Sequence, residues 1–275
     1  MSKRDVVVLG IARSAIGSFG GGLADIEPCE LAGTVMKEAI SRSGVDPKAI
    51  NYVTVGNTIP TESRFPYVAR VASIQAGLSQ ESVAMALNRL CSSGLQAIVT
   101  TAQNILLNDC DYGIGGGVEV MSRAGYLSAA MRNGARMGDS KMIDTMVSTL
   151  TDPFGVETTM ESLAKLKPAF KKEGGSVTAG NASGINDGAA FFVLADAAVA
   201  ASAGHKPMAR LVSYAIAGVP NEIMGEGPIP ATKLALKKAG LTLDQIDVIE
   251  ANEAFAAQAI AVARGLELDM SKTNV

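Results

Sequence analysis

The sequence predicts an α/β fold built on a parallel or mixed sheet, and three observations carry that expectation. Short apolar, β-branched runs alternate along the chain with segments whose apolar residues recur at helical spacing. The stretch GVDPKAINYVTV at 44–55 has a counterpart in GLTLDQIDVIEA at 240–251, so part of the architecture is repeated. The 275 residues are 48% hydrophobic and 19% charged, which supplies a substantial core and is far from the composition of a disordered chain.

Val6 to Ile11 is an uninterrupted apolar run, as suits a strand buried on both faces. A helix follows, with Leu31, Ala32, Val35, Met36, Ala39 and Ile40 on one face, Pro28 near its start and Gly44 at its stop. Tyr52 to Gly56 reads as the next strand. Leu95, Ile98, Val99, Ala102, Ile105 and Leu106 mark a second helix, which leads through Asn108 and Asp109 into a strand at Tyr112 to Gly117. Asp152-Pro153-Phe154-Gly155 is a turn signal, 157–167 reads as a short helix or linker, and Lys171 to Gly175 as a charged loop. Ala189 to Leu194 and Val248-Ile249 are strands of the later part, and Ala256 to Arg264 is a helix. In both copies of the repeat a helix ends at glycine, a short turn follows, and Ile50 or Ile246 opens a strand, with Asn57 or Asn252 after it.

Charge and cysteine content exclude several classes of function. Lys and Arg number 24 against 27 Asp and Glu, a formal charge of -3, which leaves no basic footprint for nucleic acid or anionic membrane. A small molecule or another protein is the expected partner. Cys29, Cys91 and Cys110 are too dispersed for a disulfide framework or a metal knuckle and suit a reducing compartment. With His205 the single histidine, a histidine-rich metal site is excluded and no metal is expected. No apolar run approaches the roughly 18 residues of a membrane span, so the expectation is a soluble, cytoplasmic protein.

Four stretches carry candidate chemistry. Asn88-Arg89-Leu90-Cys91-Ser92-Ser93-Gly94 places Cys91 at or just before a helix N-terminus, where the dipole favours a nucleophilic thiolate. A buried cysteine used as a small apolar side chain is the alternative, and Cys29 and Cys110 lack even the helix-start context. Val177 to Gly184 is rich in small residues, which suits either a backbone that closely approaches a ligand or a tight turn. Gly115-Gly116-Gly117 carries the same ambiguity and lacks the spacing of a dinucleotide or phosphate loop. Asn252-Glu253-Ala254-Phe255 lies between a strand and a helix. Its asparagine can cap the helix or hold a water or carbonyl oxygen at the strand's end. His205, in a hydrophilic turn, reads as an exposed surface residue and a poor base.

Taken together and in this order, these stretches resemble the signatures of thiolases, in particular acetyl-CoA acetyltransferases. They are 88–94, then 115–122 (GGGVEVMS), then 177–184, then 252–255, with supporting motifs at 12–17 and 136–139. The resemblance implies two similar α/β halves in a five-layered core, the second half incomplete in these 275 residues. The halves would occupy 1–155 and 177–275, with a junction at 156–176. By the resemblance, Cys91 is the catalytic nucleophile that takes an acyl group from acyl-CoA, and Asn252 holds a catalytic water of an oxyanion hole. Ala179, Gly180 and Ser183 match the loop against which the pantetheine of coenzyme A lies, and Leu150, Ala254 and Phe255 match positions near that arm. The implied activity is condensation of two acetyl-CoA to acetoacetyl-CoA and CoA, or thiolysis of short 3-ketoacyl-CoA. Acetyl-CoA and acyl-CoA thioesters are the implied partners, coenzyme A is substrate and product with no permanently bound cofactor, and the assembly is a homodimer or homotetramer.

Two departures qualify the likeness. The loop domain expected between Gly155 and Glu157 is missing, and the sequence stops at Asn274-Val275, before a glycine-histidine-proline motif and a final cysteine-glycine motif. Either the natural chain is truncated or segments have been left out and the numbering closed up. Omission is the expectation, because deleting several strands exposes a large buried surface. The alternatives to a working thiolase are another condensing enzyme of the superfamily and a CoA- or acyl-binding scaffold without catalysis.

Overall fold

The structure, a computed structural model, describes residues 4–150, 175, 177, 178 and 180–275, without the side chain of Leu150. The chain divides into two compact units, Met1–Leu150 with Ile185–Leu211, and Thr151–Gly184 with Val212–Val275.

The first unit is a mixed sheet with helices on both faces. Its strands are β1 (Val6–Arg13), β2 (Gly17–Ser18), β3 (Tyr52–Gly56), β4 (Val83–Leu87), β5 (Tyr112–Val120), β6 (Tyr126–Leu127), β7 (Ile143–Asp144), β8 (Asn186–Asp196) and β9 (Ala209–Arg210). Its helices are α1 (Pro28–Ser43), α2 (Val68–Gln75), α3 (Ser93–Leu106), α4 (Thr145–Leu150) and α5 (Ala197–Ser202). The main sheet runs β4-β3-β5-β8-β1-β9, with β2 beside β8. β3 pairs in parallel with both β4 and β5, whereas β8 runs antiparallel between β5 and β1. β6 and β7 form a separate antiparallel pair. The strand expected at Ala189 to Leu194 is the middle of β8 and completes this first sheet, although its sequence position lies in the later half.

Alternation along the strands assigns the two faces. Val7, Leu9, Val53, Val55, Ile114, Val118, Phe191 and Val193 pack beneath α1 and α2. Val6 and Leu194 face the other way, against Ala102 and Ile105 of α3. α1 runs from Pro28 to a left-handed cap at Gly44 (φ 69°), as its proline and glycine predict.

The glycines of β5 serve packing. A Cβ at Gly115 would lie 2.8 Å from the Ile98 Cα and 2.9 Å from the Ala97 oxygen, and one at Gly56 would lie 2.4 Å from the Ser93 carbonyl carbon. Glycine therefore lets the backbone of α3 rest directly on the sheet. Gly115 and Gly117 are the floor under α3 while Gly116 is closed off by Ala190 and Phe191 of β8, so the run is strand, as expected over 112–117, and the turn alternative for the three glycines is corrected.

The second unit contains α6 (Pro228–Ala239) and α7 (Ala256–Leu266). α6 ends at Gly240 in the left-handed conformation (φ 69°), and Thr242 with Gln245 forms a capping box on the turn that follows. The strand expected at Val248-Ile249 is reduced to a single parallel bridge between Ile249 and Thr273. No helix among the described residues is long and apolar enough to cross a membrane.

Candidate active site

β3, β4 and β5 are parallel, and their carboxyl ends are where an open α/β sheet offers room for a ligand. α3 begins at this end, because Ser93 and Gly94 sit over Gly56 and Gly117. Cys91 lies two residues before α3 and is exposed. Leu90, just before it, holds φ at 48°, a left-handed conformation that costs a branched side chain about 1–2 kcal/mol. Local bonds hold the turn. The Ser93 hydroxyl donates to the Leu90 carbonyl at 2.6 Å and accepts the Arg89 N–H at 2.7 Å, and the Leu90 N–H donates to Asn88 Oδ1 at 2.8 Å.

A second loop, just after β3, braces this turn. The Thr58 hydroxyl donates to the Leu90 carbonyl at 3.2 Å, and the Asn88 amide donates to the Thr58 carbonyl at 3.3 Å. The loop is gathered in turn by Glu119 on β5. Its carboxylate accepts the Asn57 amide at 2.9 Å, the Thr58 N–H at 2.9 Å and the Ile59 N–H at 3.0 Å. Burial raises the Glu119 carboxyl above the usual carboxylate range, and the N–H donors of Ile59 and Thr58 oppose that rise. Sequence reasoning passed over Glu119. The signal available to it is an acidic residue inside an otherwise apolar and glycine-rich strand, which asks for buried donors.

The other two thiols are buried, whereas Cys91 is exposed. Contrary to expectation, Cys29 also stands at a helix start, in the first turn of α1. It is buried, its N–H donates to Glu62 Oε1 at 2.9 Å, and burial together with the hydrogen bond to Glu62 pushes its thiol up to about 12. Cys110 is buried too, and burial followed by repulsion from Asp109 and Asp111 pushes it up to about 12. A helix N-terminus alone does not make a nucleophile when the thiol is dehydrated and faces a carboxylate.

His205 is half-buried, edge-on to Tyr112 with ring centroids 6.1 Å apart, which corrects the expectation of a free surface residue. Tyr112 opens β5, whereas Cys91 lies by the strand's other end, so His205 is not placed to act on that thiol.

In the second unit the structure brings the 180–183 loop onto the start of α7. The Ser183 N–H donates to the Ala254 carbonyl at 2.9 Å, the Ala256 N–H donates to the Asn181 carbonyl at 2.9 Å, and Ala182 forms an antiparallel bridge with Phe255. Gly180 lies in a turn closed by the Thr178 N–H donating to Asn181 Oδ1 at 2.8 Å. Gly180, Ser183, Ala254 and Phe255 are thus neighbours, with the Ser183 side chain exposed. Ala179 and the Leu150 side chain lie outside the described residues. Asn252 does not cap α7, whose N-cap residue is Phe255. Its side chain is exposed, and the adjoining Ala251 and Glu253 are tied to Asn274 by bonds of 2.6 to 3.0 Å. Among the described residues no group of three or more His, Cys, Asp or Glu side chains is arranged to hold a metal ion.

Comparison with known proteins connects these features to a family. The model described as thiolase, N-terminal domain, matches residues 6–157 and 154–198, and the one described as thiolase, C-terminal domain, matches 205–275. The beta-ketothiolase BktB of Cupriavidus necator is 44% identical over 338 aligned positions, covering 98% of this chain and 86% of that protein. The acetyl-CoA acetyltransferase of Rhizobium meliloti is 39% identical, covering 100% of this chain and 86% of its own length. Among solved structures, human mitochondrial 3-ketoacyl-CoA thiolase in complex with CoA superposes with a TM-score of 0.91 at 34% identity, covering 99% of this chain and 85% of that one. The acetyl-CoA acetyltransferase of Bacillus anthracis gives 0.90 at 34% identity, covering 99% and 86%. The N-terminal match comes in two segments that meet at 154–157, and 338 aligned positions exceed the 275 residues of this chain, so the relatives carry internal residues without a counterpart here. Motif order, a sheet crossed by a helix that starts beside an exposed cysteine, and family matches over nearly the whole chain converge, and the chain belongs to the thiolase family.

Proposed function

We propose that this thiolase passes an acetyl group through Cys91, condensing two acetyl-CoA to acetoacetyl-CoA and CoA or, in reverse, cleaving short 3-ketoacyl-CoA with CoA. The observation that carries the reading is the placement of Cys91, exposed on a braced, left-handed turn at the start of α3, while the other two cysteines are buried. In the first half-reaction the Cys91 sulfur attacks the thioester carbonyl. A new S–C bond forms, the bond to the CoA sulfur breaks, and CoA leaves with the proton that Cys91 gave up. In the second, an acetyl-CoA that has lost an α-proton attacks the acyl-cysteine carbonyl: a C–C bond forms, the bond from that carbonyl carbon to the Cys91 sulfur breaks, and the sulfur takes up a proton in place of the one lost from the α-carbon, which regenerates the thiol. The N-terminal end of α3, where the helix dipole is positive, suits the negative charge that develops beside Cys91.

The remaining assignments belong to the same proposal. Asn252 holds a water for an oxyanion, supported by its exposed and uncommitted amide. Ala179, Gly180 and Ser183 lie along the pantetheine arm with Leu150, Ala254 and Phe255, supported by the backbone bonds that gather 180–183 against 254–256. Coenzyme A is substrate and product, and no resident cofactor takes part. A cytoplasmic homodimer or homotetramer completes the reading. Exchange of labelled CoA into acetyl-CoA tests the chemistry. Cys91→Ser should melt like the parent protein and bring exchange down to the uncatalysed rate, and a Cys91→Ser protein that exchanges normally would remove the nucleophile from the reading.

A further inference from the structure

We propose that Glu119 is a positioning residue for acyl transfer: it fixes the 57–59 loop, and Thr58 of that loop fixes the turn that presents Cys91. The inference rests on reading Cys91 as the nucleophile. Three donors from three successive residues converge on one carboxylate, at 2.9, 2.9 and 3.0 Å, which defines both the position and the orientation of the loop. The Asn57 amide also donates to the Val118 carbonyl at 2.7 Å, so the loop is fastened to β5 at adjacent residues.

Thr58 faces the nucleophile turn with two groups. Its hydroxyl donates to the Leu90 carbonyl, and its carbonyl accepts from the Asn88 amide. Leu90 is the residue whose backbone is held at φ 48°, a conformation that relaxes unless the surroundings define it. The route from Glu119 to the peptide preceding Cys91 is therefore hydrogen-bonded at each step. No step brings Glu119 to the reacting atoms, so its effect is on where the sulfur points.

The test uses the full chain and follows acetylation of Cys91 by acetyl-CoA in a single turnover. Glu119→Gln preserves volume but replaces an acceptor with an amide N–H₂ that faces donors. Its acylation rate at saturating acetyl-CoA should fall by up to about 10²-fold, the loss that a small misplacement of a reacting group can cause, with the concentration for half-saturation unchanged. Thr58→Val removes the hydroxyl bridge alone, and it should lower the rate less and in the same parameter. The double variant should be no slower than Glu119→Gln, because both substitutions break one path. Losses that multiply in the double variant, a rise in half-saturation instead of a fall in rate, or parental rates in either single variant would overturn the proposal. If Glu119→Gln does not fold, the Thr58→Val rate decides alone. Absence of Cys91 acetylation in the parent protein would overturn the nucleophile reading and this one with it, whereas normal acetylation in parent and variants would overturn only the positioning role.

Discussion

The segments 44–56 and 240–252 share a local structure and differ in their surroundings. Each begins with a glycine at φ 69° that ends a helix, continues through a capped 3-10 turn, and reaches an isoleucine that leads into extended backbone. In the first copy Ile50, Val53 and Val55 are all 0% exposed and the segment becomes a central strand, whereas in the second Val248 is 58% exposed and only Ile249 forms a bridge. Short-range chemistry thus sets the cap and the turn in both places. Whether the next residues become a strand depends on what flanks them, and among the described residues only the first copy has strands on both sides and helices on both faces.

Substitutions at matched positions separate these two contributions. The largest difference should come from the isoleucines. Ile50→Ala should cost about 2–5 kcal/mol, because the side chain is fully enclosed, while Ile246→Ala, at a half-buried site, should cost clearly less. Chemical denaturation of the two variants reads the difference, and equal losses would mean that the second copy is packed as tightly as the first. The glycines should behave alike. A Cβ at Gly44 would meet only the His205 ring at 4.0 Å and one at Gly240 nothing within 4 Å, so alanine at either should cost about 1–2 kcal/mol, purely from the left-handed backbone. A marked inequality in thermal unfolding would reveal a packing role for one of them. The smallest effect concerns the turns. Asp46 accepts the Lys48 N–H at 2.9 Å and Thr242 shares a capping box with Gln245, so Asp46→Ala and Thr242→Ala should each lose about 0.5–1 kcal/mol. Larger losses at one would show that its cap holds more than its own turn.

The same division explains how much could be read from the sequence. β3 was legible to the residue, and α1 and α3 were recognisable from their apolar spacing and, for α1, from Pro28 and Gly44, because these signals act within a few residues. α2 and β4 were not singled out. α2 is only eight residues long, and β4 is an edge strand of five with Val83 57% exposed, so each offers too short a signal to stand out. The sheet position of β8 was hidden because its partners, β1 and β5, lie far earlier in the chain. At the site, the placement of Cys91 before α3 was legible from Ser92-Ser93-Gly94 and the apolar helix after it. The brace was not, since Glu119 reaches residues about sixty positions away, with Asn57 at a separation of 62. The helix-start position of Cys29 was also missed, and it proved uninformative once burial and Glu62 were taken into account.

The central claim is that one exposed thiol carries the acyl group. The most direct measurement mixes the protein with acetyl-CoA labelled in the acetyl carbonyl, quenches in acid and maps the label by peptide mass spectrometry. Label should appear on Cys91 alone and return to solution when free CoA is added, while Cys29 and Cys110, both buried and pushed up to about 12, stay unmodified. Label on either buried cysteine or on a residue other than cysteine, or rapid acetyl exchange with no covalent label at all, would contradict the account.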